Sequence, residues 1–204
     1  MPRILTLPRV QAPPLPETGC WPIAALDFMQ PPIWRVRAEV EHDENLLQPI
    51  AYLVLLNGEG QAWCYQRAGG DARVDGRLSC GVGGHVDAAD AMAAVHAEAG
   101  TRFDADATLR RALLRELAEE LQATAADLHE LRLQGLIYEG LSPIGRVHLG
   151  VLYTAQWHHT EAPQPRPDEA LQGLGFMDLN AIAADPRFEL WSRLAAQHLQ
   201  VLRA

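Results

Sequence analysis

Apolar residues follow three rhythms along this chain, and each predicts a different element. Ile50 to Leu56 is an unbroken apolar run that stops at Asn57-Gly58, which reads as a strand followed by a turn, with Ala62 to Gln66 as its antiparallel partner. Trp34, Val36, Ala38 and Val40 alternate with Arg35, Arg37, Glu39 and Glu41, the pattern of a half-buried strand. Leu109, Leu113, Leu117 and Leu121 recur every four residues, the stripe of a helix, with Asp104-Ala105-Asp106 placed to cap it. The alanine-rich stretch from Asp90 to about Gly100 reads as a further helix ending near the glycine. Thr124-Ala125-Ala126-Asp127 is a loose capping box that would start a short one.

Leu131 to Tyr138 and Val147 to Trp157 read as strands joined by a loop with Pro143 and Gly145. Leu174 to Leu179 reads as a short strand and Phe188 to Leu202 as a final helix. Gly69-Gly70 to Gly76 and Pro163 to Pro167 are loops, and Leu78 to Val82 leads into a glycine-rich loop. Residues 1 to about 32, broken by Pro2, Pro8, Pro13, Pro14 and Pro16, read as irregular chain lying on the surface or on a partner subunit. Strands and helices mixed in this order fit the α+β class or a small α/β sandwich. The domain organisation expected is an N-terminal extension with a first strand over 1–45, then one domain over 46–204.

At 204 residues, 48% of them apolar, the chain suits one domain with elaborations. A net charge of −9 argues against a general nucleic-acid or anionic-membrane binder, because no basic stretch is present to displace counterions. It leaves room for a small phosphorylated substrate. Cys20, Cys64 and Cys80 are odd in number and lack metal-type spacing, so they read as free thiols of a reducing compartment. The chain has neither an 18-residue apolar run nor a signal-peptide pattern at its start. The cytoplasm is the expected location, and a homodimer is compatible.

The chemistry concentrates in Arg115-Glu116-Leu117-Ala118-Glu119-Glu120. At about 100° per residue, the three glutamates fall within an arc of roughly 100° beside the leucine stripe. Like charges at that spacing repel, and a hard divalent cation with oxygen ligands would resolve the repulsion. Upstream, Gly81-Val82-Gly83-Gly84-His85-Val86-Asp87-Ala88-Ala89-Asp90 follows a strand, and glycines there let backbone groups approach a ligand closely.

A glycine loop followed by an Arg-Glu-x-x-Glu-Glu helix resembles the Nudix hydrolases. Gly84 is followed by five residues and then Asp90, an acid where the family's motif has glutamate. Arg115, Glu116, Leu117, Glu119 and Glu120 match the helix half position by position. Two features depart. Asp90 and Arg115 enclose 24 residues where the motif has seven, an insertion of 17 expected to form an added helix and loop around 91–107. Gln122 stands where the motif closes with glycine. The resemblance covers roughly residues 46 to 190 and is nearest to bacterial members with a Gly-Val-Gly-Gly-His loop and a lengthened linker.

The resemblance implies the Nudix fold, a mixed sheet between helices, and hydrolysis of a diphosphate bond in a small nucleoside-diphosphate-linked or related substrate. It implies Mg²⁺ or Mn²⁺ held by Glu116, Glu119 and Glu120 with the Gly84 carbonyl, and Arg115 orienting a glutamate and pairing with Asp90. It does not fix the general base, for which Glu169, Glu139 and Glu116 are candidates. Arg67, Arg77 and His85 are candidates for substrate contact, against solvated turn arginines and a local hydrogen-bond donor. A Nudix-fold sensor that binds nucleotide without turnover is the alternative.

Other readings fit less well. Gly140-Leu141-Ser142-Pro143-Ile144 fails the last position of a serine nucleophile elbow, and Pro143 removes an oxyanion-hole amide. Gly81 to Val86 lacks the third glycine of a dinucleotide fingerprint. His158-His159 would point to opposite faces of a strand and read as a solvated strand end, and His148 reads as structural.

Overall fold

The structure, a computed structural model, describes residues 2–67, 76–96 and 100–203. The loop expected from Gly69 to Gly76 therefore lies, but for Gly76, outside the described residues. In chain order the elements are β1 (Arg3–Pro8), β2 (Thr18–Trp21), β3 (Ile33–Val36), α1 (Arg37–Val40), β4 (Leu46–Leu56), β5 (Ala62–Arg67), β6 (Leu78–Ser79) and β7 (Gly81–His85). Then follow β8 (Ala93–His96), β9 (Gly100–Phe103), α2 (Ala105–Glu120), β10 (Leu128–Glu139), α3 (Pro143–Val147), β11 (His148–Trp157), β12 (Leu171–Met177), α4 (Leu179–Ala184) and α5 (Leu190–Val201).

The main sheet runs β12-β5-β4-β11-β10-β2. It is mixed: β4 and β11 are parallel from Gln48↔His148 to Leu56↔Gln156, and the other pairs are antiparallel. Because side chains alternate along a strand, β4 feeds two cores. Ala51, Leu53 and Leu55 face Leu109, Leu113 and Leu117 of α2. Tyr52, Val54 and Leu56 face Ile182 of α4 and Ala195, Ala196 and Leu199 of α5. A strand covered on both faces has no polar side to display, which is why Ile50 to Leu56 is apolar without interruption. The result is helix, sheet, helix: the α+β class expected from the order of elements, and the mixed sheet between helices that the resemblance implied.

Four expectations are corrected. The proline-rich N-terminus is not irregular. Ile4, Leu5, Thr6 and Leu7 are at most 2% exposed, β1 pairs with β3 and β4, and β2 pairs with β10. The prolines punctuate these strands and do not exclude them. The strand expected through Ala38 and Val40 stops at Val36, because its partner β1 begins opposite at Arg3; the chain turns into α1 instead. The glycine-rich segment is itself a strand, β7, paired with β4 from Ile50↔His85 to Val54↔Gly81.

The alanine-rich insertion is not a helix. It begins with a 3-10 turn, Ala88–Asp90, and continues as the β8–β9 hairpin. Short helices are marginal unless packed. Here the base of the hairpin is closed by Asp104 N–H to Met92 O (3.0 Å) and Met92 N–H to Thr108 Oγ1 (2.9 Å). The insertion thus leaves and re-enters the fold at one place. Smaller adjustments follow at the C-terminal side: α3 occupies the expected Pro143–Gly145 loop, and the last strand ends at Met177, where Asp178 caps α4.

Candidate functional site

The site is built where α2 ends beside β7. Asp104 caps α2 by accepting from Ala107 N–H (2.9 Å), which fixes the helical frame. Leu109, Leu113 and Leu117 are buried, and that frame turns Glu116 and Glu120 inward, with side chains 16% and 13% exposed. Glu119 is 56% exposed and is bonded to Arg115 (3.0 Å). The strand β7 passes so closely that a Cβ on Gly84 would collide with Glu116 Oε1. Gly83, at φ +154°, has no room for a side chain beside Ala51 O. At Gly84 a side chain would displace the carboxylate; at Gly83 the clash is with main chain, and only glycine fits.

Arg115 ties the arrangement together. Its guanidinium donates to Asp90 Oδ2 (2.9 Å), His85 O (2.9 Å), Glu116 Oε1 (2.8 Å) and Glu119 Oε2 (3.0 Å). Asp90 is 3% exposed and also accepts from Asp87 N–H (3.0 Å). The pair forms across the insertion because the hairpin closes at its own base.

Glu120 is the least comfortable carboxylate. Its Oε2 is buried with no hydrogen-bond partner, and Arg67 stands 3.8 Å from its Oε1. Burial pushes its pKa from 4.5 up to about 7, opposed by Arg67 and reinforced by the charges of Glu116, Glu169 and Glu189. Burial also raises Glu116, against the pull of Arg115. Two inward carboxyls raised by burial, one with an orphaned oxygen, beside the half-buried main chain of Gly84, suit a divalent cation with oxygen ligands. Among the described residues no three His, Cys, Asp or Glu side chains form a ready-made cage.

Beside these carboxylates lies a cleft of about 360 Å³, walled by Ile50, Ile144 and Trp191 and edged by Arg67, His85 and Glu189. His85 faces Gln48 Oε1 at 2.8 Å. Gln48 spends its amide on Val40 O (3.1 Å), so the His85 nitrogen is the donor. Burial, then Arg37 and His148, push the His85 pKa down to about 3; the ring is neutral. Arg67 also donates to Tyr65 Oη (2.9 Å).

Other sequence candidates are not gathered in. Arg77 is at the surface, donating to Pro186 O (3.1 Å). Glu169 is exposed on a turn whose Arg166 N–H bonds Glu120 O (2.9 Å), so it stands at the rim. Glu139 is buried, and both its oxygens are taken by Ser142. His148 is held by Ile144 O (2.7 Å). His158 meets His129 and His159 meets Asp127 at the far end of β11. Glu189 escaped the sequence reading: it sat inside the expected helix from Phe188, whereas α5 begins at Leu190 and leaves Glu189 at its cap, on the cleft.

A family model described as the NUDIX domain matches residues 46–199. Protein YmaB of Bacillus subtilis (strain 168) is 31% identical over 169 residues, spanning 80% of this chain and 76% of that protein. Among solved structures, Tm1382, described as a candidate Nudix hydrolase, superposes with a TM-score of 0.74 at 24% identity, covering 98% of this chain and 99% of that one. DR0079 from Deinococcus radiodurans gives 0.53 at 19% identity over 82% and 90%. These two likenesses establish the fold.

Proposed function

This chain belongs to the Nudix family, and from that premise we propose that it hydrolyses a diphosphate bond in a small nucleoside-diphosphate-linked or related molecule, with a divalent cation. The observation that carries the reading is Glu120: one turn beyond Glu116, which lies against the Gly84 main chain, with a buried oxygen that no group among the described residues satisfies. Such a carboxyl costs stability, and the cost makes sense where a cation completes it. Glu116 and Glu120, with the Gly84 carbonyl and Glu119 at the rim, would hold Mg²⁺ or Mn²⁺. Bound there, the ion would neutralise phosphate charge and lower the pKa of a water.

The chain's own groups do the rest. Arg115 holds Glu116 in place and keeps Asp90 paired. Arg67, at the cleft edge and held on Tyr65 Oη (2.9 Å), would meet a phosphate oxygen there. The neutral His85 and the apolar wall of Ile50, Ile144 and Trp191 suit the uncharged organic half of the substrate. The compartment we assign is the cytoplasm, in keeping with three free cysteines.

The test is a turnover screen of nucleoside diphosphate derivatives with Mg²⁺, read by phosphate release. Metal-dependent release is expected. Tight nucleotide binding without release from any compound would replace the hydrolase by the sensor.

A further inference from the structure

We propose that Glu189 is the general base of this site, taking the proton from the water that attacks phosphorus. The inference rests on the hydrolase reading above and adds to it the residue that the family motif leaves open.

A base in this cleft needs a carboxylate that faces the reacting atoms, is held in one orientation and keeps an oxygen free. Glu116 and Glu120 are committed to the cation. Glu139 has both oxygens bonded to Ser142. Glu169 is exposed and is anchored only through its main chain, N–H to Arg166 O at 3.1 Å. Glu189 alone among these meets all three conditions.

Three hydroxyls donate to one of its oxygens, Oε1: Ser79 at 2.7 Å, Tyr52 at 3.0 Å and Ser192 at 3.1 Å. They come from β6, β4 and the first turn of α5, so three elements fix the carboxylate. Its main chain is pinned as well, Glu189 N–H donating to Leu78 O (2.9 Å). Among the described residues, every hydrogen bond to the Glu189 side chain falls on Oε1. Among the same residues Oε2 takes none and is not a buried orphan atom, and Glu189 lines the cleft together with Gly84 and Arg67. Glu189 thus shares its cleft with Arg67, the group proposed above for a phosphate oxygen.

The step balances simply. The water oxygen bonds to phosphorus and its proton passes to Glu189 Oε2. The bond from phosphorus to the bridging oxygen breaks, and that electron pair leaves with the departing phosphate. Solvent then recovers the proton.

The experiment is steady-state kinetics of Glu189→Gln with Mg²⁺, on the substrate found in the turnover screen. Glutamine still accepts from the three hydroxyls but cannot take a proton. We expect kcat to fall by roughly 10²- to 10⁴-fold, the usual worth of general base catalysis, with KM little changed. Should Glu189→Gln fail to fold by circular dichroism, Glu189→Asp carries the test: it keeps the charge, draws it back by one methylene, and should still lose at least about 10-fold in kcat. A kcat within about 10-fold of wild type in folded Glu189→Gln, or a large loss that falls on Glu169→Gln instead, overturns the assignment. Those outcomes leave the hydrolase reading standing. A wild type that never releases phosphate overturns both.

Discussion

The two ends of α2 carry the same chemical group and treat it in opposite ways. At the N-terminus, Asp104 caps Ala107 N–H, and Asp106 accepts from Arg110 (2.7 Å) and Tyr153 Oη (2.7 Å). Each carboxylate is bonded and sits at the positive end of the helix dipole. At the C-terminus, Glu116, Glu119 and Glu120 crowd the negative end, with no basic residue in the last turn. Glu120 there has an orphaned oxygen and a pKa raised to about 7. One end spends carboxylates on stability and the other stores them against it. The difference teaches where to look for chemistry: at charges the fold leaves unfinished.

The largest test strikes Arg115, the cation bonded to Glu116 and Glu119 at the C-terminal end. Arg115→Ala would strand Asp90, 3% exposed, and free the repulsion among the glutamates. Breaking a buried pair costs about 3 kcal/mol or more, so the thermal midpoint should drop sharply; an unchanged midpoint would mean the acidic end is not strained. Next is Glu120→Gln, which removes the charge and keeps the shape. On whichever substrate is found, kcat should fall by roughly 10² or more with circular dichroism unchanged. Wild-type turnover in that variant would strip the orphaned oxygen of its meaning.

A pH titration without metal sharpens the contrast further. Burial raises Glu120 from 4.5 to about 7, so the unfolded chain gives up this proton at lower pH than the folded one. The contribution is therefore fully present below about pH 4.5 and is lost as pH rises to about 7. Chemical denaturation across that range should show stability declining in wild type more than in Glu120→Gln, and parallel profiles would refute the strain. Asp104→Ala, at the satisfied end, should do the converse: a loss of about 1 kcal/mol in stability and an unaltered kcat. A fall in kcat there would show that the two ends are coupled.

How legible was all this? The α2 stripe, its cap and its glutamates were readable because a helix of period 3.6 places neighbours three and four apart, whatever surrounds it. Gly83 and Gly84 were readable as close-approach points, though the segment proved to be a strand. Glu189 was not readable. Its partners, Tyr52, Ser79 and Ser192, lie on β4, β6 and α5, and in sequence it looks like an ordinary acid near a helix start. The hairpin of the insertion was missed for a related reason. Alanine content speaks for a helix, but the closure between Met92, Asp104 and Thr108 is tertiary.

By itself, then, the sequence determined the elements whose periodicity is local: the β4 run, α2 and its row of carboxylates, and through them the family. Tertiary structure decided which strands the N-terminus would join and how Asp90 reaches Arg115 across the hairpin. It also decided that Glu119 faces out while Glu116 and Glu120 face in, and that Glu189, from the opposite helix layer, lines the same cleft as Gly84 and Arg67. The division follows from range. Hydrophobic period and capping act over one or two turns of chain, whereas burial and the pairing of charges depend on which distant residues share one low-dielectric space.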